Sequence, residues 1–350
     1  MKNVNVAIIG FGVSGRYFHA PFLLAHKGFT IKSVLSSRKD EIESLLPGIT
    51  VVTDLEDILN DESIDLVINC GPTHLHFEHT KACLLKDKHV VVEKPFVTNS
   101  SDGRELIDIA KERELILSVY HNRRFDGDFL TLKELINSKK LGEIKQFESH
   151  YDRIRPVARP ERWREQAGAG SGIFFDLGSH LIDQTLSLFG SPKEVFADIC
   201  NQKDGVGATD YFHVIFYYDK LRVILHGSSF TDSSARFKLL GDKGSYIKYG
   251  LDPQEDSLRA GALPTDSDFG LEPSESFGKL KSFESGEEIA FETVRGSYRS
   301  FYELIHGNLS GESDELPVSA ASALRVVELI EKCLVSSSEK RIVISEANPS

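Results

Sequence analysis

The chain has 350 residues, a formal net charge of −12 at pH 7 and a pI near 5.5. That length exceeds what one hydrophobic core usually supports, so we expect two domains. The acidic balance argues against a nucleic acid or an anionic membrane surface as the main partner. No apolar run approaches the ~18 residues that span a bilayer, and no secretion signal precedes the first predicted strand, so we expect a cytoplasmic protein.

The first predicted strand, at 5–9, leads directly into a glycine-rich turn. Gly10, Gly12 and Gly15 have the spacing G-x-G-x-x-G behind an apolar run. Gly10 can supply the tight turn, Gly12 lets the backbone approach a pyrophosphate, and Gly15 lets the next helix pack close to the sheet. The pyrophosphate would then lie at a helix N-terminus. The triplet alone is a weak signal, but the flanking strand and helix-like stretch favour a dinucleotide-binding fold.

Over roughly the first 120 residues, short apolar runs alternate with longer amphipathic ones, which is typical of a parallel sheet covered by helices on both faces. Asp54 is a candidate N-cap for the run that follows it, and Ser100 and Ser101 are candidates for a helix over 102–112. Five further strands are predicted in this part, at 30–35, 50–52, 66–70, 89–92 and 116–119.

From residue 143 onward the pattern changes to strand-like runs separated by turn residues. Turn residues at 218–221 and 241–244 predict hairpins, so this second sheet should be largely antiparallel. A polar stretch with glycine and proline over 252–278 is predicted to be a long surface excursion. The strands of this part are predicted at 143–151, 195–200, 211–218, 221–228, 236–240 and 245–249.

The strand predicted at 89–92 ends in Glu93, Lys94 and Pro95. Open α/β sheets bind their ligands at the carboxyl edge of the strands, so Lys94 would extend from the binding edge. Pro95 fixes its own φ and biases Lys94 toward extended geometry. A surface lysine in a loop would have the same pattern. Because Lys94 shares its half of the chain with the glycine turn, it is a candidate to hydrogen-bond a substrate hydroxyl and stabilise a developing alkoxide.

Asp176 and His180 are four residues apart in a segment that we predict to be helical to residue 189, so they share one face, with an apolar stripe of leucines elsewhere. An imidazole titrates near neutral pH, so His180 can take the proton of a reacting hydroxyl while Asp176 orients the ring or the substrate. An i,i+4 pair that only decorates a helix is the alternative. Asp183 is either a supporting partner of this pair or a solvated side chain.

Cofactor choice is argued from the end of the second strand, where Ser36, Ser37 and Arg38 follow. Proteins that bind NAD usually place Asp or Glu about 20 residues beyond the glycine loop to hold the ribose 2′-hydroxyl. Here no carboxylate stands at the strand end, and Arg38 can bind a phosphate bidentately, so NADP is favoured over NAD. Asp40 and Glu41 come slightly too late, although a shifted boundary would recruit one. Arg38 could also be a solvated side chain at a helix start.

Metal and disulfide chemistry are not indicated by the spacing of ligand residues. The histidines at 74, 76 and 79 lack a second ligand group at a recognisable zinc spacing, so we expect no metal site. Five arginines between 153 and 164 form an anion site or line a cleft. We predict reduced packing roles for the four widely separated cysteines, Cys70, Cys83, Cys200 and Cys333.

Three motifs together resemble the Gfo/Idh/MocA oxidoreductases: Gly10-Phe-Gly12-Val-Ser-Gly15, Glu93-Lys94-Pro95 and Asp176-Leu-Gly178-Ser-His180. This resemblance covers nearly the whole chain. The longer strings at 118–124, 162–165, 176–184 and 249–261 resemble the bacterial NADP-dependent scyllo-inositol dehydrogenase branch of that family. The resemblance implies an α/β protein with an N-terminal Rossmann domain, which has a doubly wound parallel sheet, over 1–122. A C-terminal α+β domain with a large, open, mostly antiparallel sheet, for substrate binding and oligomerisation, would cover 123–350.

The resemblance also implies roles for individual residues. The catalytic set would be Lys94, Asp176 and His180, with His180 as the acid/base. The cofactor would contact Gly10, Gly12, Val13, Ser14, Gly15, Ser36, Ser37, Arg38, Gly71, Pro72, Thr73, His76, Glu93 and Lys94. The substrate would contact Tyr120, Asn122, Arg123, Trp163, Arg164, Asp176 and His180.

The expected reaction is a reversible hydride transfer between NADP and a secondary alcohol of a cyclitol or sugar, of the scyllo-inositol type. Such a reaction needs no metal. Expected partners are the small polyol and a second copy of the chain in a homodimer or homotetramer, with no nucleic acid and no membrane. Two alternatives stay open. One is a non-catalytic dinucleotide-binding regulator, and the other is a glycosidase of the same fold that retains NAD.

Overall fold

A computed structural model describes residues 3–159, 161 and 165–345. It divides into two compact units. The first contains the described part of 1–122 with Gln254–Phe269 and Ser297–Arg325, and the second contains the remaining described residues. The first segment of unit one ends at the predicted boundary, but two later segments join it. The division of the chain at residue 122 stays a prediction.

The first unit is built on six parallel strands in the order β3-β2-β1-β4-β5-β6. This is the strand order of a dinucleotide-binding Rossmann sheet. The order of successive strands along the sheet reverses between β1 and β4, while all strands stay parallel. All six predicted strands are confirmed to within one residue at each end. They are β1 Val4–Ile9, β2 Phe29–Leu35, β3 Thr50–Val52, β4 Leu66–Asn69, β5 His89–Glu93 and β6 Leu117–Tyr120.

The helices of the described chain differ from the sequence predictions at particular ends. The helix after the glycine turn begins as a π-helical turn over Ser14–His19. Asp54 is confirmed as an N-cap, since its side chain accepts from the Glu56 amide. The prediction for Ser100 and Ser101 is wrong, because the Asn99 side chain accepts from the Asp102 amide at 3.0 Å and both serines are already helical. The α-helices are α1 Ala20–Ala25, α2 Lys39–Leu45, α3 Leu55–Leu59, α4 His76–Leu85, α5 Ser100–Glu112, α6 Gly127–Asn137, α7 Ser179–Phe189, α8 Gln254–Arg259, α9 Arg299–Leu309 and α10 Ala320–Glu339.

The second unit contains a mixed, mostly antiparallel sheet in the order β14-β13-β12-β11-β7-β10-β9-β8-β15. Among the described strands of this sheet, only β7 and β10 pair in parallel. The predicted hairpins at 218–221 and 241–244 are confirmed, whereas β13, β14 and β15 were not predicted. The strands are β7 Ile144–His150, β8 Glu194–Cys200, β9 Tyr211–Tyr217, β10 Arg222–Ser228, β11 Phe237–Gly241, β12 Gly244–Lys248, β13 Gly278–Ser282, β14 Glu288–Phe291 and β15 Val343–Ile344.

One face of this sheet is buried against the core of the second unit. On β9, Phe212, Val214 and Phe216 are fully buried, while the residues between them are only partly buried. This period-two alternation means that the other face carries the intermediate positions. Leu177 and Leu181 of the predicted apolar stripe belong to the buried core, and Leu188 packs against it.

The stretch 252–278 is not simply a surface excursion, and this prediction is corrected. It contains α8, whose Gln254 and Leu258 are buried. The Gln254 side chain accepts from the Tyr298 backbone amide at 2.8 Å, which attaches this short helix to the first unit. All four cysteines are unpaired, with Cys83 and Cys333 buried. No helix among the described residues is long and apolar enough to cross a bilayer.

Candidate active site

The glycine turn after β1 leaves space for a ligand at one glycine and packs tightly at the other two. Gly10 has φ +84°, and a Cβ there would lie 2.9 Å from the Cys70 carbonyl oxygen. A Cβ on Gly15 would lie 2.6 Å from the Gly10 carbonyl oxygen. A Cβ on Gly12 would meet no protein atom within 4 Å. The backbone at Gly12 is therefore open to close approach from outside, as a bound pyrophosphate requires.

The carboxyl edge of β2 carries two arginines and one carboxylate. The guanidinium of Arg38 lies 3.1 Å from Glu41 and also donates to the Phe11 carbonyl oxygen of the glycine turn. Arg16, from the π-helical turn, contacts the other oxygen of Glu41 at 3.3 Å. From the sequence we expect Glu41 to lie slightly beyond this edge. In the structure its ion pairs with Arg38 and Arg16 place its carboxylate at the edge. The edge keeps an excess of positive charge, because two guanidinium groups face one carboxylate.

Gly71, Pro72 and Thr73 form the loop that follows β4, and His76 connects it to the loop after β5. The His76 ring nitrogens lie 3.1 Å from the Gly71 carbonyl oxygen and 2.8 Å from that of Pro95. Burial lowers the pKa of His76, although both carbonyl contacts oppose this. His76 therefore holds two loops of the binding edge together, and its predicted contact with the cofactor stays a prediction.

Lys94 follows β5, and a series of contacts between buried side chains holds its backbone in place. The Lys94 amide donates to Oε2 of Glu93 at 3.0 Å, and Oε1 of Glu93 lies 3.1 Å from Nε2 of His19. The other ring nitrogen of His19 contacts the Tyr302 hydroxyl. Burial raises the pKa of Glu93, but the hydrogen bond and charge of His19 and the charge of Lys94 outweigh it, so the pKa lies below its ordinary value.

Tyr120 was predicted to border the substrate, and the structure places it in the interior of the first unit. It is 1% exposed, and its hydroxyl donates to the Phe18 carbonyl oxygen at 2.9 Å. Its ring lies 4.3 Å from the His19 ring and 4.7 Å from that of Phe301. Asn122, at the start of a 3-10 turn, is also buried. These contacts give Tyr120 a packing role, and its contact with substrate stays a prediction.

Asp176 and His180 occupy one continuous helical segment of the second unit. Asp176 lies in a π-helical turn over Phe174–Gly178, and His180 is the second residue of α7. His180 is 4% exposed and Asp176 is half-buried. The predicted helix is therefore confirmed, with a π-helical first turn. The four-residue spacing keeps both side chains on neighbouring positions of one face.

Asp183 is buried, so the interpretation of it as a solvated side chain is wrong. Its carboxylate accepts from Nε and Nη2 of Arg124 at 2.8 and 2.6 Å, and its side chain is 1% exposed. Burial lowers the pKa of Arg124, but the charge and hydrogen bonds of Asp183 outweigh this effect. The net pKa lies above its ordinary value, so the pair is ionised. This bidentate pair fixes α7, which carries His180, to the turn that follows β6.

Arg123, a predicted substrate residue, is buried in the same part of the second unit. It lies 3.3 Å from Asp126 and over the ring of Tyr151. Its carbonyl oxygen accepts from the Gln184 side chain at 2.9 Å, so it too is connected to α7. Trp163 and Arg164 lie outside the described residues. Lys94 belongs to the first unit and Asp176 and His180 to the second, so each is described in its own unit.

Sequence reasoning missed several residues that support the site. Arg16 had no motif, and neither did His19 or Tyr302, because each acts through contacts with residues distant in the chain. A histidine on the helix after a glycine turn gives no local signal for a buried partner at the end of β5. The sequence also contained no signal for Arg124 as the bidentate partner of Asp183, because 59 residues separate the two.

The fold and the edge geometry define a NAD(P)-binding oxidoreductase architecture. The chain matches the description "Oxidoreductase family, NAD-binding Rossmann fold" over residues 4–121 and "Oxidoreductase family, C-terminal alpha/beta domain" over residues 133–345, both of the Gfo/Idh/MocA type. The chain belongs to the Gfo/Idh/MocA oxidoreductase family.

Individual relatives match along the full length of the chain. The scyllo-inositol 2-dehydrogenase (NADP(+)) IolW of Bacillus subtilis is 42% identical, over 99% of this chain and 97% of its own. The uncharacterized oxidoreductase YdgJ of Escherichia coli is 43% identical, over 94% and 95%. The solved structure of yvaA from Bacillus subtilis superposes with a TM-score of 0.95 at 41% identity and covers 99% of both chains.

Proposed function

We propose that this protein is an NADP-dependent dehydrogenase that oxidises a secondary alcohol of a cyclitol, of the scyllo-inositol type, or reduces the corresponding ketone. The observation that carries the proposal is the full-length similarity to IolW, at 42% identity. Lys94, Asp176 and His180 are all present in the chain, at the end of β5 and on the segment that leads into α7. A wider range of sugar substrates is the broader form of the same proposal.

The residues of the first unit fit a dinucleotide. Gly12 leaves backbone space at the turn where a pyrophosphate would lie, and Arg38 and Arg16 supply positive charge at the edge that borders the adenosine ribose. A 2′-phosphate at this edge would compete with Glu41 for both guanidinium groups. The two guanidinium groups favour NADP over NAD, which offers only a hydroxyl there, although Glu41 reduces this preference.

In the proposed mechanism, the glycine turn at Gly12 and the guanidinium of Arg38 would hold the dinucleotide, whose nicotinamide would supply the hydride chemistry. His180 accepts the hydroxyl proton at a ring nitrogen during oxidation and returns it during reduction. The Lys94 ammonium stabilises negative charge on the reacting oxygen. Asp176 orients the imidazole or a substrate hydroxyl. The Lys94 amide donates to Glu93, which His19 contacts in turn, so the backbone from which the Lys94 side chain extends is held in place.

A substrate panel tests this function. Purified protein is assayed for NADPH formation at 340 nm with inositol stereoisomers and aldoses, each with NADP and with NAD, from neutral to alkaline pH. We expect the highest kcat/KM with a cyclitol and NADP. No turnover with any polyol, together with tight NADPH binding, would instead support a regulatory protein. Cofactor that stays bound through dialysis, with glycoside cleavage, would support the glycosidase alternative.

We also propose that the protein forms homodimers or homotetramers in the cytoplasm. The partly buried face of the nine-stranded sheet offers a broad surface for a second copy, because alternate positions of β9 and β10 keep part of their surface exposed within the chain. Sedimentation equilibrium at micromolar concentration is the test. A mass equal to one chain at all concentrations would refute the assembly.

A further inference from the structure

A histidine–carboxylate cluster on the second unit has no part in the proposed reaction. His150 is the last residue of β7, Asp152 follows two residues later, and His226 lies on β10 directly opposite His150 in the register of the sheet. The Asp152 side chain is 3% exposed, and those of the two histidines are 15% and 16% exposed. The cluster therefore lies at the end of β7 and near the end of the adjacent strand β10, and it is nearly closed to solvent.

The three side chains bring their ligand atoms to the spacing of a metal site. Nδ1 of His226 lies 2.9 Å from Oδ1 of Asp152, and Nδ1 of His150 lies 3.7 Å from Oδ2. Each of the three residues offers one ligand atom, and these three atoms lie within 4.8 Å of one another. Tetrahedral bonds of about 2.0–2.2 Å place ligand atoms roughly 3.4 Å apart. Small rotations of the imidazoles would therefore enclose one cation.

Two buried atoms of the cluster, Nδ1 of His150 and Oδ2 of Asp152, have no hydrogen-bond partner among the residues that the structure describes. The opposite nitrogen of His150, Nε2, lies 3.2 Å from Oε2 of Glu148, which also contacts the Lys238 ammonium at 3.0 Å. An ionised carboxylate has lone pairs but no proton to donate, so Glu148 accepts from both neighbours, and the proton of a neutral His150 is on Nε2.

This assignment leaves the lone pair of His150 Nδ1 facing the lone pairs of Asp152 Oδ2. Two acceptors that face each other in a buried place are unfavourable unless a cation lies between them. A carboxylate that hydrogen-bonds the far nitrogen of an imidazole is also the arrangement that orients histidine ligands in metal sites. The neighbouring acceptors and the orienting Glu148 thus point to the same missing positive charge.

We propose that His150, Asp152 and His226 bind one divalent cation of the zinc class, with a fourth position open to water or a further ligand. Two imidazoles and one carboxylate suit zinc or cobalt better than magnesium or calcium, which prefer oxygen ligands. The ion connects the ends of β7 and β10 and stabilises this part of the sheet. It has no part in hydride transfer, so the site is independent of the proposed function.

Metal binding is tested on tag-free, full-length protein that has been treated with EDTA and desalted. The protein is titrated with Zn²⁺ by calorimetry and with Co²⁺ by absorption, and thermal unfolding is measured with and without Zn²⁺. We expect one equivalent of Zn²⁺ per chain, a rise in Tm, and a Co²⁺ spectrum without thiolate charge-transfer bands. The last result distinguishes this site from binding by the four cysteines.

Variants locate the site. His150→Gln, His226→Gln and Asp152→Asn should each weaken Zn²⁺ binding at least tenfold and abolish the rise in Tm. His213→Gln is the matched control, because its ring lies 5.8 Å from that of His226 but it is not in the ligand set. Circular dichroism verifies folding of each variant. Absence of saturable one-to-one binding by the unchanged protein, or equal binding by the folded ligand variants, would overturn the proposal.

Discussion

Nε2 of His19 lies 3.1 Å from Oε1 of Glu93, and both side chains are buried within the first unit. The two residues come from the helix after β1 and from the end of β5. Because Glu93 also accepts from the Lys94 amide, the contact connects the cofactor side of the sheet to the proposed catalytic lysine. Tyr302 completes the chain of contacts through the other ring nitrogen of His19.

Replacement of Glu93 should destabilise the protein in a pH-dependent way. The pKa of Glu93 is lower in the folded chain than its ordinary value of 4.5. Its contribution to the free energy of unfolding is therefore present above that ordinary value and is lost as the pH falls through the folded value. We expect Glu93→Gln to lower the free energy of unfolding by about 2–4 kcal/mol at pH 7, and by less as the pH falls below 4.5.

Urea unfolding at several pH values measures this difference. Glu78→Gln is the control, because Glu78 is exposed on α4 and its replacement should change the free energy of unfolding by less than about 0.5 kcal/mol. A loss of stability in Glu93→Gln that is the same at all pH values would contradict an ionised Glu93 in this network.

The proposed acid/base and the proposed lysine should affect turnover more than binding. His180→Gln and Lys94→Met should each lower kcat by about 10²- to 10⁴-fold, because proton transfer and charge stabilisation act in the transition state. NADPH binding, followed by nicotinamide fluorescence, should be unchanged in His180→Gln. Lys81→Met, at a partly exposed lysine paired with Glu105, should keep full activity. Wild-type turnover in either site variant would refute its assigned role.

Arg38 should decide the preference between the two dinucleotides. Removing its guanidinium deletes a charged contact with a 2′-phosphate, worth about 1.5–3 kcal/mol. This energy corresponds to a decrease of roughly 10- to 100-fold in kcat/KM for NADP, which we expect for Arg38→Gln. The kcat/KM for NAD should be nearly unchanged. Glu41→Gln should have the opposite effect on NADP, since it removes the carboxylate that competes for both arginines. An equal loss with both cofactors would contradict a phosphate contact.

A methyl group at Gly12 should block the cofactor without damaging the fold. The Cβ of Gly12→Ala would point into open space, so we expect a change in the free energy of unfolding below about 0.5 kcal/mol and a loss of NADPH affinity. Gly15→Ala is the matched comparison, because its Cβ would lie 2.6 Å from the Gly10 carbonyl oxygen and should lower stability as well. Thermal unfolding and fluorescence titration measure both. Unchanged NADPH binding by Gly12→Ala would place the pyrophosphate elsewhere.

The elements that the sequence predicted well share a physical cause. Strands of the parallel sheet are buried on both faces, so they appear as continuous β-branched runs that are easy to recognise. β13 and β14 were missed because they lie near one edge of the second sheet, with exposed charged residues such as Lys279, Lys281 and Glu288. Polar strands of this kind cannot be distinguished from loops by periodicity.

The sequence by itself determined the family, the Rossmann sheet, the glycine turn and the helical segment that carries Asp176 and His180. These features are local, because strand and helix periodicities and turn glycines are properties of neighbouring residues. Only the tertiary structure decided that His19 and Tyr302, 283 residues apart, meet beside Glu93, and that His150 and Asp152 face His226. Contacts of this kind depend on how distant segments pack against each other. They produce no periodic pattern of residues along the chain, so the sequence alone does not predict them.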